Sequence, residues 1–333
     1  MTDTSRPILI MIDGHALAYR QFFALPIESF STREGEPTNA TYGFARTLLD
    51  VLEKDRPRYL LVAFDQGMSG RDQLYSAYKG TRDKMPDELR LQMQRIHQLV
   101  EAFNIPILEV QGYEADDLLG TLARQAEAAG LDVLIITGDR DLLQLVTDHT
   151  HVRLPPGRWS KSDQTYDPEA FRQQYRLEPW QLIDLKALVG DSSDNIPGVK
   201  GIGEKGATSL LQTYGTLEGI YEHLDSLPKG QGSKLATERE MAFLSQQLAR
   251  IRCDAPVSLD LDACLAHDYD RDRVAELFRE LEFRTLIRRL PSADEEAATA
   301  DAGQPTQLRL FGGDDRPVPP PTPSAAPSGP IAE

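Results

Sequence analysis

The sequence predicts an α/β fold with a parallel sheet flanked by helices, and three observations carry that prediction. First, Pro7-Ile8-Leu9-Ile10-Met11-Ile12, Tyr59-Leu60-Leu61-Val62-Ala63-Phe64 and Val133-Leu134-Ile135-Ile136-Thr137 are short continuous apolar runs. That is the pattern of strands buried on both faces. Second, helical stretches at about 41–54 and 116–129 separate the runs, and such alternation builds a parallel sheet. Third, the runs lead into Asp13, Asp65 and Asp139. Ligands of such sheets bind outside the carboxyl ends of the strands. One Asp there is an ordinary turn residue; three side by side point to a shared task.

The densest chemistry lies in Gly112-Tyr113-Glu114-Ala115-Asp116-Asp117-Leu118-Leu119-Gly120, where three carboxylates fall within four residues. Leu118, Leu119, Leu122, Ala123 and Ala126 repeat at helical spacing, which puts the acids at the start of an amphipathic helix. A single acid would suffice to complement a helix dipole. Three repel one another unless a cation sits between them, and a divalent metal is the usual answer.

Composition bounds the rest. The chain has 333 residues, 40% hydrophobic and 26% charged, as in soluble globular proteins. No apolar run approaches the roughly 20 residues of a membrane span, and residues 1–7 lack a signal-peptide pattern. Cys253 and Cys264 are the only cysteines and form no CxxC, so neither a disulfide framework nor a zinc site is indicated. The expectation is a cytoplasmic, reduced protein with no membrane partner. A net charge of -16 argues at first against nucleic acid. Residues 101–194, however, hold 17 Asp and Glu against 8 Lys and Arg. A local deficit of that kind suits a metal centre, where the ion supplies the missing charge.

Between Gly67 and Leu99 the apolar pattern thins, and Arg71, Lys79, Arg82, Lys84, Arg90 and Arg95 interleave with Tyr75 and Tyr78. Most suit a solvated helical surface, but the mixture also fits single-stranded nucleic acid. Residues 167–184 read as a helix opened by Asp167-Pro168. It leads to Gly190-Asp191-Ser192-Ser193-Asp194-Asn195-Ile196-Pro197 and then to Gly198-Val199-Lys200-Gly201-Ile202-Gly203-Glu204-Lys205-Gly206-Ala207. Gly201 to Gly206 matches GxGxxG formally, yet no apolar strand precedes it. A tight hairpin opening a helix at 208–214 accounts for it better. The amides of Gly201 and Gly203, with Lys200 and Lys205 alongside, would grip duplex phosphates without reading sequence. Helices are expected at 238–250 and 273–286. Residues 291–333 include nine prolines and are expected to be disordered, interrupted by the apolar island Gln307-Leu308-Arg309-Leu310-Phe311.

Asp13-Gly14-His15, Tyr78-Lys79-Gly80, the 112–117 cluster, Gly138-Asp139-Arg140-Asp141 and the 190–203 segment occur in an order and spacing that resemble the bacterial 5′-nuclease domains of the flap endonuclease superfamily. The resemblance covers about residues 7–290. It implies a PIN-like sheet with a helical arch over about 67–99, within a nuclease unit at 1–180. A helix–hairpin–helix DNA-binding subdomain would follow at 181–290, and a tail at 291–333. It further implies that Asp13, Asp65, Glu114 and Asp116 surround one metal and Asp139, Asp141 and Asp194 a second, with Asp117 and Asp191 close by. Arg71, Tyr78, Lys79 and Arg82 match the arch base, and carbonyls near Val199 and Ile202 would coordinate potassium. The tail residues Gln307, Leu308, Leu310 and Phe311 resemble a sliding-clamp-binding motif.

The expected activity is metal-dependent hydrolysis of DNA or an RNA primer at 5′ ends and flaps, by a monomer working in replication and repair. Two Mg²⁺ (or Mn²⁺) ions about 3.5–4 Å apart suit that chemistry and explain a ligand set of carboxylates rather than Cys or His. His15 is left out of the set because oxygen ligands predominate. Lys79 and Arg82 would offset charge on the phosphate during cleavage. Two other readings are weaker. A haloacid-dehalogenase-type phosphatase wants a second Asp where His15 stands, and a non-cleaving DNA-binding module has no need of nine mutually repelling acids.

Overall fold

A computed structural model describes residues 6–156 and 162–290. In chain order the elements are β1 (Ile8–Asp13), α1 (Gly14–Ala24), α2 (Asn39–Asp50), β2 (Tyr59–Ala63), α3 (Arg71–Leu74), α4 (Asp87–Ala102), β3 (Ile107–Leu108), α5 (Ala115–Ala128), β4 (Asp132–Ile136), β5 (Thr150–Leu154) and β6 (Gln164–Tyr166). A helical second half follows: α6 (Pro168–Tyr175), α7 (Leu182–Val189), α8 (Glu204–Tyr214), α9 (Leu217–Glu222), α10 (Lys229–Thr237), α11 (Arg239–Ala249), α12 (Arg271–Glu280) and α13 (Arg284–Ile287). None of these helices is long and apolar enough to cross a membrane.

The sheet has the order β3-β2-β1-β4-β5-β6. All neighbours are parallel except β5 and β6, so the sheet is mixed rather than purely parallel. The three apolar runs form its centre, and alternation along them decides the two cores. Leu9, Met11, Leu61, Ala63, Val133 and Ile135 face α5 and the helical second half. Ile8, Ile10, Ile12, Leu60, Val62, Leu134 and Ile136 face α1, α2 and α4. The register sets Asp13 beside Ala63 and Ile12 beside Ile136, so Asp65 and Asp139 leave the sheet at the edge where Asp13 ends β1.

Several expected boundaries move, for local reasons. The helix expected over 167–184 is two: Arg176 turns left-handed at φ 58°, and Pro179 cannot continue the first helix. The helix expected at 273–286 divides likewise at Glu282, φ 58°. Helix α8 begins at Glu204, four residues before the expected 208. The 67–99 stretch also divides. Leu89, Met93, Ile96 and Val100 recur at helical spacing and are buried, so α4 lies on the sheet as a core helix rather than arching free.

The segment after α11 returns to the sheet. Leu60 donates to the Cys264 carbonyl at 2.8 Å and Ala266 to that of Arg58 at 3.0 Å, extending the edge of β2. Val274, Phe278, Leu281 and Leu286 then enter the α1–α2–α4 core. Residues 271–290, expected in the second unit, thus complete the first. We expect Phe278→Ala to lower unfolding free energy by about 3–5 kcal/mol, measured by urea denaturation. A loss below about 1 kcal/mol would mean that this core closes without α12.

Candidate metal centre

The acidic centre is built from chain ends and helix starts. Asp13 terminates β1 and caps α1: its Oδ1 accepts from Ala16 N–H at 2.9 Å, and its Oδ2 from the Thr137 hydroxyl at 2.7 Å. Asp65, just past β2, accepts from Ala115 N–H at 2.7 Å, which joins the end of β2 to the start of α5. His15 Nδ1 in turn accepts the Asp65 N–H at 3.0 Å, so it is the neutral Nε2–H tautomer. Asp139 accepts from the Asp141 amide at 2.9 Å. Glu114 and Asp116 stand at the N-terminus of α5, where the apolar face of that helix holds them against the sheet.

Four cations reach into this set, and one of them, Arg71, lies 3.5 Å from Glu114 while its main partner is Asp117. Lys79 Nζ lies 2.8 Å from Glu114. Arg82 pairs with Asp194, and Lys186 lies between Asp141 and Asp191. Eight carboxylates (13, 65, 114, 116, 139, 141, 191 and 194) therefore face four cations, of which Arg71 is shared with Asp117. The shortfall appears in their protonation. Burial first, then the charges of Asp65 and Asp139, push Asp13 up to about 7 despite its two hydrogen bonds. Burial, then the charges of Asp13, Asp139 and Glu114, raise Asp116 well above the carboxylate range. Burial and Asp139 push Asp141 up to about 7 against Lys186. Asp191 goes the other way: burial opposes it, but Lys186 and Ser193 bring it down to about 2.

Other sequence-predicted residues have different employment. Asp117 is fully buried and forms a two-point pair with Arg71, at 2.8 and 2.9 Å. It also accepts from the amides of Arg252 at 2.8 Å and Glu114 at 3.2 Å. All its capacity is spent, so Asp117 leaves the metal set. Arg71 leaves the DNA-binding set for the same reason, since its remaining donors hold the carbonyls of Leu248 and Arg250 and its Nη1 lies 3.5 Å from Glu114. It is a bracket between α3, α5 and the end of α11. Tyr78 is buried too; its hydroxyl donates to Asp194 at 3.1 Å and approaches Glu114 at 3.4 Å, so the ring is no exposed stacking platform.

At the hairpin, Lys200, Gly201, Gly203 and Lys205 are exposed, as a duplex contact requires. Val199 and Ile202 are buried; the Val199 carbonyl accepts from the Ile202 amide at 3.1 Å, and the Val199 amide donates to Leu188 at 2.8 Å. Gly198 is obligatory, because it has φ +65° and a Cβ there would lie 2.3 Å from Gly190 N. Two residues escaped the sequence reading. Lys186 left a signal, being the only cation in the helix LIDLKALV, which is apolar apart from it and Asp184. Lys234 left none; it comes from α10 to donate to the Gly201 carbonyl at 3.1 Å. Gln307, Leu308, Leu310 and Phe311 lie outside the described residues.

The donor set fits Mg²⁺ or Mn²⁺. It is oxygen throughout; Asp116 accepts no hydrogen bond among the described residues, and Asp65 and Asp139 each commit only one oxygen to an amide. Among the described residues no three acids already meet as a finished coordination shell. Lys79, Arg82 and Lys186 occupy the outer members, and an arriving ion would compete with them.

Residues 8–176 match the family described as 5′-3′ exonuclease, N-terminal resolvase-like domain, and residues 177–272 match 5′-3′ exonuclease, C-terminal SAM fold. DNA polymerase I of Chloroflexus aurantiacus is 48% identical over 329 residues, which are 94% of this chain and 35% of that protein. DNA polymerase I of Bacillus subtilis is 42% identical over 304 residues, 90% of this chain and 34% of that one. The chain thus spans about a third of the length of these relatives. Among solved structures, T5 5′-exonuclease with zinc bound matches with TM-score 0.60 at 22% identity, covering 82% of this chain and 98% of that one. Flap endonuclease-1 from Methanococcus jannaschii matches with TM-score 0.58 at 16% identity, covering 91% and 95%. At such identities the likeness concerns the fold.

The raised carboxyls make the pH dependence testable. An Asp whose folded pKa exceeds its unfolded value near 3.8 binds its proton more tightly in the native state. Its contribution is therefore fully present at low pH and lost as pH rises through the folded value. In EDTA, the stability of Asp116→Asn relative to the parent should grow as pH rises above the unfolded value near 3.8, read as the difference in Tm, and Mg²⁺ should shrink that difference. A difference independent of pH would contradict the charge deficit.

Proposed function

The chain belongs to the 5′-3′ exonuclease family, and from that premise we propose that it hydrolyses phosphodiesters of DNA, or of an RNA primer, at 5′ ends and 5′ flaps. The reaction is metal-dependent and serves primer removal and repair. The observation that carries this reading is the cluster of eight carboxylates facing four cations, one of them shared with Asp117, set where the sheet edge meets the 75–82 segment and the 191–196 loop.

Asp13, Asp65, Glu114 and Asp116 would hold one Mg²⁺ or Mn²⁺, and Asp139, Asp141 and Asp194 a second, with Asp191 acting beside them through Lys186. Such a pair of ions supplies the activation of water and the stabilisation of the leaving oxygen. The chain's own groups do the rest. Lys79 and Arg82, which stand at Glu114 and Asp194, would balance charge on the scissile phosphate. Lys186 holds Asp141 and Asp191 on either side of it and favours their ionised forms; burial works against its charge, but those two acids raise its pKa. Lys200 and Lys205, with the amides of Gly201 and Gly203 and with Lys234 added, grip duplex phosphates. They fix the distance between the double-stranded end and the centre. Potassium at the carbonyls of Val199 and Ile202 would reinforce the hairpin. A sliding clamp engaged by residues 307–311, a monomeric state and a cytoplasmic setting complete the proposal.

A labelled 5′-flap substrate tests it. Cleavage should require Mg²⁺ and stop with EDTA. Asp116→Ala should lose at least about a hundredfold in rate while binding the flap duplex within about twofold by fluorescence anisotropy. Binding without cutting by the parent chain in Mg²⁺ would overturn the catalytic assignment.

A further inference from the structure

We propose that Asn195 is a positioning residue: it holds the turn that aims Lys79 at the metal centre and ties that turn to the seat of the DNA-binding hairpin. This rests on the nuclease reading above.

Four observations meet here. Lys79 lies in a turn closed by the Gly80 amide donating to the Ala77 carbonyl at 3.0 Å, and it has φ 54°. That left-handed backbone suits Gly or Asn but is strained for a long side chain, and it persists only where surroundings over-determine it. Asn195, itself left-handed at φ 56°, supplies part of that constraint. Its Nδ2 donates to the same Ala77 carbonyl at 2.6 Å. A second bond runs the other way, from the Lys79 amide to the Asp194 carbonyl at 2.9 Å. Finally, Tyr78, Ile196, Leu248 and Ala249 bury a small apolar cluster around the crossing.

The two bonds therefore join Ala77 and Lys79 of one segment to the consecutive residues Asn195 and Asp194 of the other. On one side, Tyr78, Lys79 and Arg82 address Glu114 and Asp194. On the other, Asn195 stands three residues before Gly198 and five before Lys200, in the loop closed by reciprocal Asp191 and Ile196 amide bonds of 2.7 and 2.8 Å. A duplex that orders the hairpin orders Asn195, and Asn195 fixes the turn under Lys79. Deleting the amide leaves the Ala77 carbonyl short of one donor and lets the strained Lys79 backbone relax.

Asn195→Gly tests this, because glycine accepts the left-handed backbone freely and removes only the amide. Asn195→Asp is the companion, keeping the side-chain shape with no donor. Both should lower kcat on a 5′-flap substrate about tenfold, the loss of one hydrogen bond to a partly buried partner. Affinity for the flap duplex in EDTA should stay within about twofold. In the Lys79→Ala background, Asn195→Gly should add less than about twofold, since it acts through Lys79. Hydrogen exchange over residues 77–82, measured without DNA or metal, should speed up in Asn195→Gly while Tm stays level. Unchanged kcat and exchange, or losses that multiply in the double variant, would overturn the inference. If the parent chain does not cleave at all, the nuclease reading falls, and the exchange measurement alone still decides whether Asn195 holds the turn.

Discussion

Repulsion among buried carboxylates is the constraint on which the rest of this structure depends. A parallel sheet delivers its strand ends to one edge, and here three strands deliver aspartates to that edge while α5 starts against it with two more acids. Burial then removes the water that would screen them. The fold meets this stress partly with Lys79, Arg82 and Lys186. It leaves the remainder as raised pKa values at Asp13, Asp116 and Asp141. Such a surplus is stored capacity for cations, since an ion that enters relieves repulsion as well as making bonds.

The three cations have a double character for the same reason. They stabilise the centre as it stands, Lys79 and Arg82 from the 75–82 segment and Lys186 from α7. A centre held together by cations from several directions couples the acids to the elements that carry them. The 75–82 segment is consequently seated on the 193–196 loop by backbone bonds, side-chain pairs and a small apolar cluster. Arg71 and Asp117 perform a similar service deeper in the protein, tying α3 and α5 to the end of α11.

Much of this was legible in the chain. Continuous apolar runs such as Ile8–Asp13 can be little other than buried strands, and the acids at their ends announced the centre without a structure. The short strands β3 and β6 were not legible, because two or three residues carry no period. Nor was the return of 271–290 to the first core: Val274 and Phe278 advertise an apolar face but not the surface that receives it.

Sequence by itself determined the three central strands and the acids at their ends, because strand burial and strand ends are properties of residues and their immediate neighbours. Tertiary structure alone decided which acids remain available. Asp117 and Asp116 are adjacent in the chain, yet one is saturated by Arg71 and two amides while the other accepts no hydrogen bond among the described residues. Helix geometry points successive side chains about 100° apart, so neighbours in sequence meet different partners, and the partners come from segments 46 and 135 residues away.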